Sequence, residues 1–137
     1  MIDKFEGKYR WLSNFAYCVI IYEGMYYPST EAAYQASKTI ITEERYPFQD
    51  YTPRQAKFAG KTVTLRPHWE GVKLAIMEEL CVQKFNQPSF KTLLLATGEQ
   101  ELIEGNWWND TFWGVCKGKG KNHLGRIIMN IRDTLNS

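Results

Sequence analysis

The stretch Thr30-Glu31-Ala32-Ala33-Tyr34-Gln35-Ala36-Ser37-Lys38 sets the tightest condition on how this chain folds. Wound at about 100° per residue, it sorts into two helical faces. Glu31, Gln35 and Lys38 fall within an arc of roughly 60° with Tyr34 beside them, and Ala32, Ala33, Ala36 and Ile40 lie opposite. A face built mostly of alanine suits another element approaching closely. The polar side lacks the abundant Lys and Glu of a purely solvating face, although a surface helix with a charged face would show the same spacing. Pro28-Ser29-Thr30 precedes it, and either hydroxyl suits an N-cap. The pattern predicts a helix from Thr30 to about Thr42.

A chain of 137 residues is long enough for a real core and is expected to form one domain, residues 1–137. Aromatic content is high, at 15%, so some rings are expected to line a pocket or partner surface. A formal net charge of +2 makes no strong case for a nucleic-acid or membrane partner. The charge is uneven, however. Glu99 to Asp110 holds four acids and no bases, whereas Val115 to Ser137 holds five bases against Asp133. Cys18, Cys81 and Cys116 are odd in number and widely spaced, which suggests neither a disulfide framework nor a zinc site and points to a reducing cytoplasm. The N-terminus has no apolar signal region, and no run approaches the ~20 apolar residues of a membrane span.

Along the chain, Tyr9 to Phe15 reads as aromatic and extended. Tyr17–Tyr22 and Met25–Tyr27 read as a hairpin turning at Glu23-Gly24. Residues 43–52 show no periodicity and read as a loop. Thr52-Pro53 starts a short helix that stops at Gly60, and Thr62 to Leu65 reads as extended. A long helix runs from about Trp69 to Asn86, with Val72, Ile76, Leu80 and Met77, Cys81, Phe85 at helical spacing. Pro88 opens another helix that ends at Gly98. Gln100–Glu104 and Thr111–Val115 read as strands around a loop. A final helix carries Leu124, Ile127, Ile128, Ile131 and Leu135 on one stripe. The expectation is an α+β, helix-rich domain with a small antiparallel sheet.

Three groups of residues suggest chemistry. Lys117-Gly118-Lys119-Gly120-Lys121-Asn122 is basic, glycine-rich and leads into a helix N-terminus, as an anion-binding loop would be, although the P-loop spacing is absent. A flexible solvated loop fits it equally. Trp69, Trp107, Trp108 and Trp113 stand near polar loop residues, and an indole stacks well on a base. Glu31 and Asp110, if brought together, suit a glycoside-type hydrolysis, in which one carboxyl group activates water and another helps the leaving group.

Taken in order, Leu12-Ser13-Asn14-Phe15, Pro28-Ser29-Thr30-Glu31, Tyr34-Gln35-Ala36 with Lys38, Ala56-Lys57 with Gly60, Arg66 with Trp69, Leu93 to Gly98, Asn109-Asp110, Trp113-Gly114 and Gly118 to Asn122 resemble the NADAR family, the YbiA-like N-glycosidases. The resemblance runs from Trp11 to Leu135. It implies a YbiA-like fold and hydrolysis of an N-glycosidic bond between ribose and a base-like amine. Implied substrates are phosphoribosylamino-pyrimidine intermediates of riboflavin synthesis or ADP-ribosylated guanine in nucleic acid, with neither metal nor other cofactor. Glu31, Trp69, Asp110 and Trp113 match catalytic positions, and Lys38 is added to them as an ion-pair partner or an amine able to form a Schiff base. Asn14, Phe15, Tyr34, Gln35, Lys119, Gly120, Lys121 and Asn122 are expected to bind substrate. The family motif usually places His after the glutamate, where this chain has Ala32. A non-catalytic module binding ADP-ribose or NAD would share these motifs, and a plain nucleic-acid-binding domain is a third reading.

Overall fold

The computed structural model describes residues 1–137, and the chain divides into two compact units, Asn14–Lys84 and Met1–Ser13 with Phe85–Ser137. The architecture is mixed helix and strand with a small antiparallel sheet. No helix is long and apolar enough to cross a membrane.

In the unit Asn14–Lys84, β1 (Tyr17–Tyr22) and β2 (Met25–Ser29) form the antiparallel hairpin. Cys18, Ile20 and Tyr22 turn inward while Tyr17, Val19 and Ile21 face out, the period-two alternation of a half-buried strand. Glu23 and Gly24 make the turn with φ of 46° and 82°. Two positive values at the central residues define the type I′ turn that matches strand twist. Helix α1 (Thr30–Ala36) follows directly, and Ser29 Oγ caps it by accepting from Ala32 N at 3.0 Å.

Helix α1 is shorter than its periodicity predicts. Ser37 Oγ donates to Tyr34 O at 2.6 Å, a local bond that competes with helix propagation, and the β-branched Thr39, Ile40 and Ile41 follow. The expected loop 43–52 is instead two short turns of helix, α2 (Thr42–Arg45) and a 3-10 turn at Tyr46–Gln49. Their organiser is Arg45, which is buried. It pairs with Glu23 at 2.6 Å, donates to Thr39 O at 2.8 Å and lies 5.2 Å from the Tyr22 ring centre. Helix α3 (Pro53–Ala59) starts on a complete capping box between Thr52 and Gln55. Thr62–Leu65 joins no sheet, and Thr64 instead donates through N and Oγ1 to Glu44, both at 2.7 Å. Helix α4 (Trp69–Phe85) carries the long stripe, and its Gln83 brackets the open edge of β1 through Ile21 N and O, at 2.5 and 2.7 Å.

In the other unit, Tyr9 to Leu12 belongs to a 3-10 helix at Gly7–Leu12 rather than an extended segment. Helix α5 (Pro88–Ala96) packs on the C-terminal helix, where Arg132 Nη1 donates to Thr97 Oγ1 at 2.8 Å. The expected strand at Gln100–Glu104 is reduced to a single parallel bridge, Leu102 with Ile2. A second, parallel ladder joins β3 (Gly105–Asn106) to β4 (Val115–Cys116), so only the end of the expected Thr111–Val115 strand pairs. Helix α6 (His123–Leu135) buries Leu124, Ile127, Ile128 and Ile131.

Candidate active site

Helix α1 is buried on every side, the alanines at 0% exposure and Glu31, Tyr34 and Gln35 at 8%, 6% and 5%. A solvated surface helix is thereby excluded. Burying a carboxylate is costly unless donors meet it. Gln35, one turn along, donates from Nε2 to Glu31 Oε2 at 2.6 Å. The Glu31 backbone N–H is held by Asn14 O at 3.1 Å, and Asn14 Nδ2 reaches Met77 Sδ at 3.5 Å. Ala32, at the position where the family motif usually carries histidine, leaves no exposed surface for a larger side chain.

Trp69 opens α4 and is buried against Tyr34, ring centres 5.3 Å apart and planes at 51°. Lys38 lies just past the end of α1, half-buried, with Nζ 5.8 Å from the Tyr34 ring centre. Burial pushes its pKa down, aided by the charges of Lys73 and Lys61 and opposed by those of Glu31 and Glu70. A lysine so lowered holds a larger neutral fraction than an exposed one. Its backbone is clamped by Arg66, whose N–H donates to Lys38 O at 2.6 Å and whose Nη1 donates to Ser37 O at 3.2 Å. Phe15, half-buried, has Lys57 Nζ 5.9 Å from its ring centre.

In the other unit, Asp110 is the pivot of the Trp-rich loop. Its Oδ1 accepts from Phe112 N at 3.1 Å and Trp113 N at 2.9 Å. Asn106 holds its backbone from both sides, accepting from Asp110 N at 3.0 Å and donating to Asp110 O at 2.9 Å. One carboxylate oxygen therefore orients Trp113, and Oδ2 takes no bond from the protein. Trp113 is half-buried, edge-on to Phe112 with ring centres 4.8 Å apart.

The glycine-rich run has a different local basis from the anion cradle its composition suggests. Lys117 and Gly118 are the centre of another type I′ turn, φ 53° and 75°, closed by Lys119 N to Cys116 O at 3.0 Å and Cys116 N to Lys119 O at 2.8 Å. The amides at the start of the following helix, and two more within the run, are spent on the protein. Lys121 N donates to Thr111 O, and Asn122, His123 and Leu124 donate to the carbonyls of Gly114, Phe112 and Trp113. Asn122 commits its side chain as well, accepting from Glu104 N and donating to Leu102 O, both at 2.9 Å. The exposed Lys119 and Lys121 side chains remain for a phosphate.

Glu31, Tyr34, Gln35, Lys38, Trp69, Asn14 and Phe15 thus belong to the unit Asn14–Lys84, and Asp110, Trp113 and Lys119 to Asn122 to the other. Arg66 is legible only as part of the ordered family motifs, not for its clamp on the Lys38 backbone, and Asn106 reads as any turn residue until its hydrogen bonds to Asp110 are traced.

The NADAR domain model matches residues 3–136, and the chain belongs to the NADAR family, whose relatives here place it among the hydrolases of N-glycosyl bonds. It is 36% identical over 128 residues to N-glycosidase YbiA of Escherichia coli (strain K12), covering 90% of this chain and 79% of that one. An N-glycosidase of Nostoc punctiforme is 33% identical, covering 93% and 86%, and a riboflavin biosynthesis protein of Vibrio vulnificus is 32% identical over 95% of this chain and 36% of its own. The NMR structure of E. coli YbiA superposes with a TM-score of 0.84 at 33% identity, over 99% of this chain and 87% of that one.

Proposed function

We propose that this N-glycosidase hydrolyses the bond between ribose C1 and a base-type amine, in phosphoribosylamino-pyrimidine intermediates of riboflavin synthesis or in ADP-ribosylated guanine. The Vibrio relative named for riboflavin biosynthesis supports the first substrate class. The observation that carries the reading is the Glu31 carboxylate, buried and held at 2.6 Å by Gln35. A fixed anion in a dry setting stabilises positive charge far better than one in water. Glu31 stabilises the ribosyl cation that develops as the C–N bond breaks, or activates the water that attacks it. Water adds to C1, and the base leaves with a proton. Asp110, through its uncommitted Oδ2, orients the ribose hydroxyls or assists proton transfer. The base stacks on Trp113 or on Trp69, whose ring meets Tyr34, Phe15 contributes to substrate binding, and Lys119 and Lys121 meet phosphate. Lys38 acts as the charge partner of Glu31. Its lowered pKa also suits the alternative, attack of the amine on an opened ribose C1 to give a Schiff base.

The test is a panel of ribosylaminopyrimidine 5′-phosphates and ADP-ribosylated guanosine scored for base release. The wild type releases base, and Glu31→Gln slows release by about 100-fold or more. Wild-type turnover by Glu31→Gln overturns the assignment. Binding of ADP-ribose without product from any substrate would establish a recognition module in place of an enzyme.

A further inference from the structure

Gln35 is 5% exposed, and its two amide ends lie in opposite circumstances. Nε2 donates to Glu31 Oε2 at 2.6 Å. The other end, Oε1, is buried and has no hydrogen-bond partner. Reversing the amide would set two acceptor oxygens against each other, so the carboxylate dictates the orientation and the orphaned oxygen is its consequence. A buried polar atom left without a partner calls for a reason.

Gly60 supplies the second observation. It caps the C-terminus of α3 at φ −60° and ψ −17°, a right-handed conformation that any residue adopts. The backbone therefore does not ask for glycine here. Space does: a Cβ built on Gly60 would overlap Gln35 Oε1 and crowd its amide carbon. The bare Cα leaves room for the amide oxygen against the end of α3.

From these two facts, and resting on the reading that Glu31 acts on the glycosidic bond, we propose that Gln35 is a positioning residue that holds the Glu31 carboxylate, and that Gly60 is the cradle that keeps its amide in place. Its side chain then serves the carboxylate rather than the substrate. An N–H donated to a carboxylate favours the charged form. Lys38 is a charged group acting with Glu31, and is itself coupled to Lys61, Lys73 and Glu70.

Gln35→Met keeps the length and removes the donor. It is expected to lower kcat by about tenfold, to leave KM within about twofold, and to move the acid limb of the kcat–pH profile upward by about one pH unit. Gly60→Ala is expected to reproduce these changes in the wild-type background and to add nothing in a Gln35→Ala background, the signature of action through one side chain. Circular dichroism and thermal melting verify that each variant folds. A 13C NMR titration of the Glu31 carboxyl carbon, which needs no turnover, should show its midpoint raised in Gln35→Met and Gly60→Ala. A wild type that releases no base defeats the functional reading alone, because the NMR midpoint still reports on the positioning. An unmoved midpoint, or a rise in KM with kcat and pH profile unchanged, overturns the positioning role.

Discussion

At the scale of single residues, the least expected side chain is Lys84, which is fully buried beside the thiols of Cys18 and Cys81 on the inner side of α4. Burial pushes its pKa down to about 8, only partly offset by the two cysteines. Between that value and the ordinary lysine range, the unfolded chain binds more protons than the folded one, so stability rises with pH. Cys81 opposes this from pH 9 upward, because burial pushes its thiol up to about 12 and the folded state then holds the extra proton. In the window from about pH 8 to 9 Lys84 contributes fully, with Lys38, whose pKa burial also lowers, acting in the same direction. Urea denaturation at pH 7.5, 8.25 and 9 should show stability increasing in the wild type and a clearly smaller increase in Lys84→Met. An equal slope in both proteins would mean that the amine titrates as if solvated. Sequence periodicity places Lys84 on the continuation of the Val72, Ile76, Leu80 stripe but cannot say that its ammonium is dry, because a lysine at such a position usually snorkels to water.

At the scale of elements, the type I′ turn of the hairpin shows the most legible kind of local chemistry. Glu23-Gly24 closes β1 onto β2, and a glycine in the second central position relieves the strain of φ 82°. Gly24→Ala should cost about 1 kcal/mol of unfolding free energy by chemical denaturation, since an L side chain is strained at positive φ. No change would imply that the turn relaxes to another type. The capping box at Thr52 and the start of α5 at Pro88 follow equally local rules. Two element boundaries were not legible. Helix α1 stops at Ala36 because Ser37 turns its hydroxyl back on the helix, and α2 exists because Arg45 finds Glu23 and Thr39. The second cause lies across 22 residues of chain, beyond any window in which periodicity is read.

At the scale of the whole molecule, all three cysteines are free and buried, Cys18 and Cys81 in one unit and Cys116 in the other. A thiolate is the reactive form, and both burial and the raised pKa of Cys81 disfavour it. The native protein should therefore resist a thiol-specific disulfide reagent at pH 8, whereas denaturant should release three reactive thiols. A thiol that reacts at once in buffer would reveal a unit that opens readily.

The sequence by itself determined the helical stripes, the hairpin and its turn, the caps, and the ordered motifs that mark the NADAR family, Glu31 and Asp110 among them. These signals are local because side-chain periodicity, capping and positive φ act over one to four residues. The tertiary structure decided the rest. It buried α1 on all sides, paired Ile2 with Leu102, tied the amides of Lys121 and Asn122 to the carbonyls of Thr111 and Gly114, and laid the Gln35 amide against Gly60. Each of these depends on backbone from distant positions arriving within van der Waals contact. No residue's identity encodes such an approach, because it is the outcome of packing every segment at once.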